Sequence, residues 1–336
     1  MNILIYQNIA KRHILKANII NTINITKGFR QNNCNVYFLV SNELLYFFKD
    51  KFNNVNFIDN LSNISNYDVI YFRDIEYPLK LINDKKYKGY IIIESHDINL
   101  SPDNIKILKS YDKILFTSIS PLIIEKYKFK NSLLFPCSID FDNFSNKIKY
   151  KNNLFDKNKF NITYCGHLYD YKGIPIIIDA ANILKEYSFH IIGGKEEDIN
   201  RHKINSSKNI IYYGHQDYND VPNYLYSSDL LLIPYSKKGN KHSPSDITSP
   251  IKLFEYLSTK VPVLCSNITG ITNWVDDNEV YFYKADDLNN FIEKIKYIEK
   301  NQNSDENNDK INNGFTKSSL YSTKNKCKKL LDMCKL

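Results

Sequence analysis

A chain of 336 residues exceeds what one hydrophobic core usually organises, so two domains of about 150 residues each are expected. With 43% hydrophobic and 24% charged residues the composition excludes a disordered or fibrous protein, and no apolar run approaches the ~20 residues of a membrane-spanning helix. A net charge of +8, from 45 Lys and Arg against 37 Asp and Glu, leaves nucleic acid, an anionic membrane face and phosphorylated small molecules open as partners.

The 26 Tyr and 19 Phe against a single Trp follow the codon bias that also enriches Asn, Lys and Ile, so single aromatics carry little functional weight. Cys34, Cys137, Cys165, Cys265, Cys327 and Cys334 form no CxxC pair and no metal-like spacing with histidine, which fits reduced thiols. The chain enters a strand pattern at Asn2 without a basic then apolar leader, so a cytoplasmic protein is expected.

In the first half, apolar runs at 2–6, 36–40, 69–72, 90–94, 113–116 and 132–135 read as buried strands, with helices expected over 15–29 and 105–109. Strand, crossover and strand in repetition predict a parallel sheet covered on both faces. Residues 134–144 carry turn chemistry without a period, and the Lys- and Asn-rich stretch 145–159 has almost nothing to bury. The second half repeats the plan, with strands at 162–165, 189–192, 210–213, 230–233, 263–265 and 280–283 and helices at 174–187, 221–227, 250–259 and 288–299. Residues 301–313 read as a polar, mobile connection, and 315–333 as one amphipathic segment able to pack on either half. The predicted fold class is α/β, two Rossmann-like doubly wound domains facing across a cleft: 1–145, a linker at 146–160, 161–313, and a C-terminal helix at 314–336.

The chemistry clusters in the second half. Ser249 is placed as N-cap and Pro250 at the first helical position, so the amides of Ile251 and Lys252 face an anion, and Glu255 follows about two turns on. An ordinary capped amphipathic helix with a solvated Glu255 fits the same residues. Gly166 and His167 follow the first strand of this half, with Lys172 as a point charge suited to phosphate. The switch-point rule brings both elements to one sheet edge, and there a pyrophosphate is expected to dock.

The order Gly166-His167-Leu168, Lys172-Gly173, Ile191-Ile192-Gly193-Gly194, Ser228-Asp229-Leu230, Ser249 through Tyr256 and Val261-Pro262-Val263 resembles the nucleotide-sugar domain of family-four glycosyltransferases. Residues 134–144 resemble that family's hinge segment, and Glu94-Ser95-His96-Asp97 is the best local match in the first half. The resemblance implies a GT-B architecture, a UDP- or GDP-type sugar donor in the C-terminal domain, no cofactor and no bound metal. It further implies a saccharide or lipid-linked acceptor mainly on the N-terminal domain and sugar transfer with retention, serving surface polysaccharide or glycolipid synthesis. Carried over by position, Glu255 binds the ribose hydroxyls and Lys172 neutralises the diphosphate. The backbone of Pro250, Ile251 and Lys252 assists, with Gly166, His167, Gly193 and Ser249 lining the donor. His96 reaches the sugar and reaction centre.

His167 stands where the family usually has arginine, and Ile247 stands eight residues before Glu255 where a second acid is common. Sugar recognition then falls either to Asp246 or to the backbone of 243–248. Lys11-Arg12-His13 borders the expected cleft, and Lys237-Lys238 and Lys241-His242 lie near the expected phosphates. Asp140-Phe141-Asp142 reads as a structural turn, and His13, His190, His202 and His215 as packing or surface residues. An inactive relative that still binds nucleotide sugar is the alternative. A nucleic-acid binder ranks last, because acids intersperse the basic residues. The charge also fits peripheral contact with the inner face of a membrane.

Overall fold

The computed structural model describes residues 1–6, 17–39, 45, 55–58, 60, 63–146, 154–237 and 249–334. Lys11-Arg12-His13, Lys238, Lys241, His242, Asp246 and Ile247 lie outside them. The chain divides into two compact units, Met1–Asp140 with Tyr321–Leu336, and Phe141–Leu320. No helix among the described residues is long and apolar enough to cross a membrane.

The first unit is built on seven parallel strands: β1 (Asn2–Tyr6), β2 (Asn35–Leu39), β3 (Asn56–Ile58), β4 (Val69–Phe72), β5 (Tyr90–Ser95), β6 (Ile114–Ser118) and β7 (Ser132–Leu134). Their order in the sheet is β3-β2-β1-β4-β5-β6-β7. Sequences such as VIYF in β4 are buried on both sides, because helices cover both faces of a parallel sheet. The pleat sorts the side chains. Ile3 and Ile5 join Val69, Tyr71 and Ile92 under helices Ala17–Gln31 and Thr323–Met333. Leu4 joins Ile70, Phe72 and Ile93, with Leu81, Leu108 and Ile123 from the helices of the opposite face. Each such fully buried aliphatic chain contributes about 1.5–3 kcal/mol.

The second unit has six parallel strands: β8 (Asn161–Cys165), β9 (Ser188–Ile192), β10 (Ile210–Gly214), β11 (Leu230–Ile233), β12 (Val263–Ser266) and β13 (Tyr281–Tyr283), ordered β10-β9-β8-β11-β12-β13. Helices Ile174–Ile183 and Leu288–Lys300 cover one face through Ile174, Ile177, Phe291 and Ile295, packed on Ile162, Phe189 and Leu230. In both sheets the strand order reverses once, between β1 and β4 and between β8 and β11, and ligands of such sheets sit at the carboxyl ends beside that reversal.

Three expectations need correction. Residues 301–313 do not form a mobile connection: Asp305–Leu320 is a helix, polar in sequence but held by tertiary bonds. Within it Asn307 accepts from Tyr281 Oη at 3.1 Å and Lys310 donates to the Asp277 carbonyl. The segment 315–333 is not one helix, because the chain breaks at Tyr321 and Ser322 and restarts as Thr323–Met333, with Ser322 Oγ capping the Asn325 N–H. Within 145–159 Phe155 is buried, its ring stacked on His190 at 3.5 Å. Burial there drives the His190 pKa down to about 4, in keeping with a packing role.

Candidate functional site

The carboxyl end of β8 is shaped by close backbone approach. Gly166 has φ +148°, outside the range side chains favour, and its N–H bonds the Ile192 carbonyl at 2.8 Å. A Cβ there would lie 2.6 Å from Lys252 Nζ, and a Cβ on Gly193 would lie 2.5 Å from the Gly166 carbonyl oxygen. These two glycines let the ends of β8 and β9 and the Lys252 side chain meet.

Two ammonium groups share this edge. Lys172, at the end of the short 3-10 turn Asp170–Lys172, places Nζ 3.9 Å from the ring centre of Tyr235, which follows β11. Lys252 Nζ lies 4.1 Å from the Tyr164 ring centre and 5.4 Å from that of Tyr235. The aromatic faces attract cations but do not neutralise them. Burial, then the positive charge of Lys172, pushes the Lys252 pKa down to about 7. Among the described residues no carboxylate forms an ion pair with Lys252.

Helix Ile251–Leu257 holds Lys252 and Glu255. Its N-cap is Pro250, not Ser249: at φ −72° and ψ 118° the proline is still extended, and the first turn closes as Leu253 N–H donates to the Pro250 carbonyl at 3.0 Å. Pro250 itself has no side-chain group to cap the turn. Leu253, Phe254, Tyr256 and Leu257 are all buried, so the helix is fixed by its core. Tyr256 Oη accepts the Cys165 N–H at 2.8 Å, tying the helix to the end of β8. Glu255 is 7% exposed and not solvated, so the ordinary surface-helix reading fails. Tyr218 Oη donates to its Oε1 at 2.6 Å. Burial raises the Glu255 carboxyl pKa to about 7, against the opposing pull of Tyr218 and Lys252.

His167 is exposed, its ring stacked on Tyr169 with centres 5.3 Å apart, while its carbonyl accepts Tyr164 Oη at 2.6 Å. In the first unit, His96 follows β5, one third exposed, with Nε2 3.1 Å from Glu94 Oε1 and 3.2 Å from Arg73 Nη2. Its pKa is lowered, by burial first and the Arg73 charge second, with Glu94 opposing.

Of the expected residues, the structure gathers Gly166, Lys172, Gly193, Lys252 and Glu255 in the second unit, with Ser249, Pro250 and Ile251 at the helix start. It adds Tyr164, Tyr218 and Tyr235, which composition gave reason to discount. The two cations suit a polyanion, and a buried carboxylate with a single hydroxyl partner among the described residues suits further hydroxyl donors. No cluster of three or more metal-type ligands occurs among the described residues.

The profile of the family described as Glycosyl transferases group 1 matches residues 145–316. Over 226 residues the chain is 25% identical to an uncharacterized 41.2 kDa protein in the cps region of Klebsiella pneumoniae, covering 60% of this chain and 58% of that protein. Over 179 residues it is 27% identical to the Escherichia coli UDP-Gal:alpha-D-GlcNAc-diphosphoundecaprenol alpha-1,3-galactosyltransferase, covering 48% of this chain and 43% of that enzyme. The chain spans about half the length of the curated relatives it matches. Anabaena HepE in complex with UDP is similar with a TM-score of 0.74 at 14% identity over 100% of both chains. Its complex with UDP-glucose gives 0.68 at 14% identity over 99% of both. The likeness shows the GT-B fold.

Proposed function

The chain belongs to the group 1 glycosyltransferase family, and from that premise we propose that it transfers a sugar from a UDP- or GDP-type nucleotide sugar to a saccharide or lipid-linked acceptor. The observation that carries the reading is the pair of ammonium groups flanking Tyr235 at the reversal of the second sheet, with Glu255 buried on the same helix as one of them. Lys172 and Lys252 hold the diphosphate, with the amides at the start of helix Ile251–Leu257 and the backbone of Gly166 and Gly193 alongside. Glu255 binds the ribose hydroxyls, each such charged hydrogen bond contributing about 1.5–3 kcal/mol. We assign His96 to the sugar and the reaction centre. Transfer with retention leaves charge on the departing diphosphate, and fixed cations stabilise it without a metal.

Likeness to a cps-region protein and to an enzyme named for a diphosphoundecaprenol substrate supports a role in surface polysaccharide or glycolipid synthesis. It also supports peripheral contact with the inner membrane face, which flotation with anionic liposomes tests. The absence of an arginine at His167 favours a second reading, a protein that binds nucleotide sugar without turning it over. Thermal stabilisation across a panel of UDP- and GDP-sugars identifies the donor, and release of UDP or GDP from it separates the two readings.

A further inference from the structure

The first unit holds a buried ionic cluster centred on Glu94, a residue given no part above in holding the donor. Glu94, at the end of β5, is 1% exposed and surrounded by five donors from four separate stretches of chain. Oε1 faces Asn21 Nδ2 at 2.9 Å, Arg73 Nε at 3.2 Å and His96 Nε2 at 3.1 Å. Oε2 accepts from Tyr71 Oη and Lys326 Nζ, both at 2.5 Å. Lys326, wholly buried, comes from the C-terminal helix Thr323–Met333.

A buried ion pair is weak evidence of a stabilising role, since apolar residues of similar volume often do as well. Here only one member reaches the surface appreciably: the His96 side chain is 33% exposed, against 12% for Arg73 and none for Lys326. The cluster therefore ends on an imidazole. Nε2 lies 3.1 Å from a carboxylate oxygen, which can only accept, and 3.2 Å from Arg73 Nη2, which can only donate; since Arg73 Nε already faces the same Glu94 oxygen, the proton is assigned to Nε2. Nδ1 then carries the lone pair, and Arg73 makes no hydrogen bond to Nε2–H, its charge instead opposing protonation of the ring.

We propose that Glu94 is the positioning carboxylate of His96, held by Lys326 and Arg73, so that His96 presents a neutral imidazole with Nε2–H on Glu94 and Nδ1 left for the reaction. The charges agree: burial alone would raise the Glu94 pKa, but Lys326, Arg73 and His96 hold it well below the usual carboxylate range. The inference rests on the role given above to His96.

NMR of the full chain with labelled histidine tests it, the His96 signal being assigned among the seven histidines by its loss in His96→Gln. The wild-type protein is expected to show His96 as the Nε2–H tautomer, titrating below the ordinary value of about 6.5. Lys326→Met removes a nearby positive charge and is expected to raise the His96 pKa, whereas Glu94→Gln removes the negative charge and is expected to lower it. Mere loosening of the fold would move both upward, toward the solvent value. An Nδ1–H tautomer, or shifts of the same sign in the two variants, overturns the proposal. Should Glu94→Gln not fold, Lys326→Arg takes its place: it keeps the charge and should leave the titration where it was, and a rise equal to that of Lys326→Met would overturn the proposal. In transfer assays Glu94→Gln should lower kcat by roughly a hundredfold with little change in donor KM. Full activity of His96→Ala would remove His96 from the reaction, while the tautomer and titrations still decide whether Glu94 positions it.

Discussion

Two glutamates, each buried near the carboxyl edge of a parallel sheet, meet opposite electrostatic fates. Glu94 in the first unit has five donors and a pKa held well below normal. Glu255 in the second has one hydroxyl partner among the described residues, and its pKa is raised to about 7. The difference lies in the neighbours, not in burial: Lys326 and Arg73 point at Glu94, while Lys172 and Lys252 lie over Tyr235. Glu94 is satisfied by the protein itself and can orient another group. Glu255 retains unused acceptor capacity, which suits a ligand.

The contrast is broken most severely by Glu94→Ala, which strands buried Lys326 without its counter-charge and should destabilise the protein by about 3–5 kcal/mol in urea unfolding. Lys172→Ala comes next: the fold should survive, while transition-state stabilisation falls by about 2.7–4 kcal/mol, a loss of roughly a hundredfold or more in turnover.

Glu255→Gln should act in the opposite sense to Glu94→Ala. The folded pKa of Glu255 lies above its unfolded value, so its contribution to stability is present below the unfolded value of 4.5 and lost as pH rises through about 7. Replacing the carboxylate should therefore stabilise the free protein at about pH 8, by at most on the order of 3 kcal/mol, with no gain near pH 4. Melting temperatures at the two pH values check this. The smallest effect is expected from His167→Arg. Its side chain is exposed, so the added charge should tighten UDP or GDP binding by no more than about 1 kcal/mol.

The sheets were legible in the sequence because parallel strands buried on both faces read as apolar runs; those over Val69–Phe72 and Leu230–Ile233 coincide with the observed strands. Strand Asn56–Ile58 is three residues long at a sheet edge and leaves no such run. Helices Glu196–Lys203 and Asp305–Leu320 bury few apolar side chains, so periodicity missed them. At the proposed site, the positions of Gly166 just after β8 and of Glu255 inside a helix were legible from local strand, glycine and helix patterns. Tyr218 and Lys326 were not, since their partners Glu255 and Glu94 lie 37 and 232 residues away.

Isothermal titration of UDP and GDP into the wild-type protein, Lys172→Ala and Glu255→Gln tests the donor site most directly. One of the two nucleotides should bind the wild type, and each variant should bind it at least about tenfold more weakly. Unchanged affinity in both variants, or no binding of either nucleotide, would contradict the assignment of Lys172, Lys252 and Glu255 to a nucleoside diphosphate.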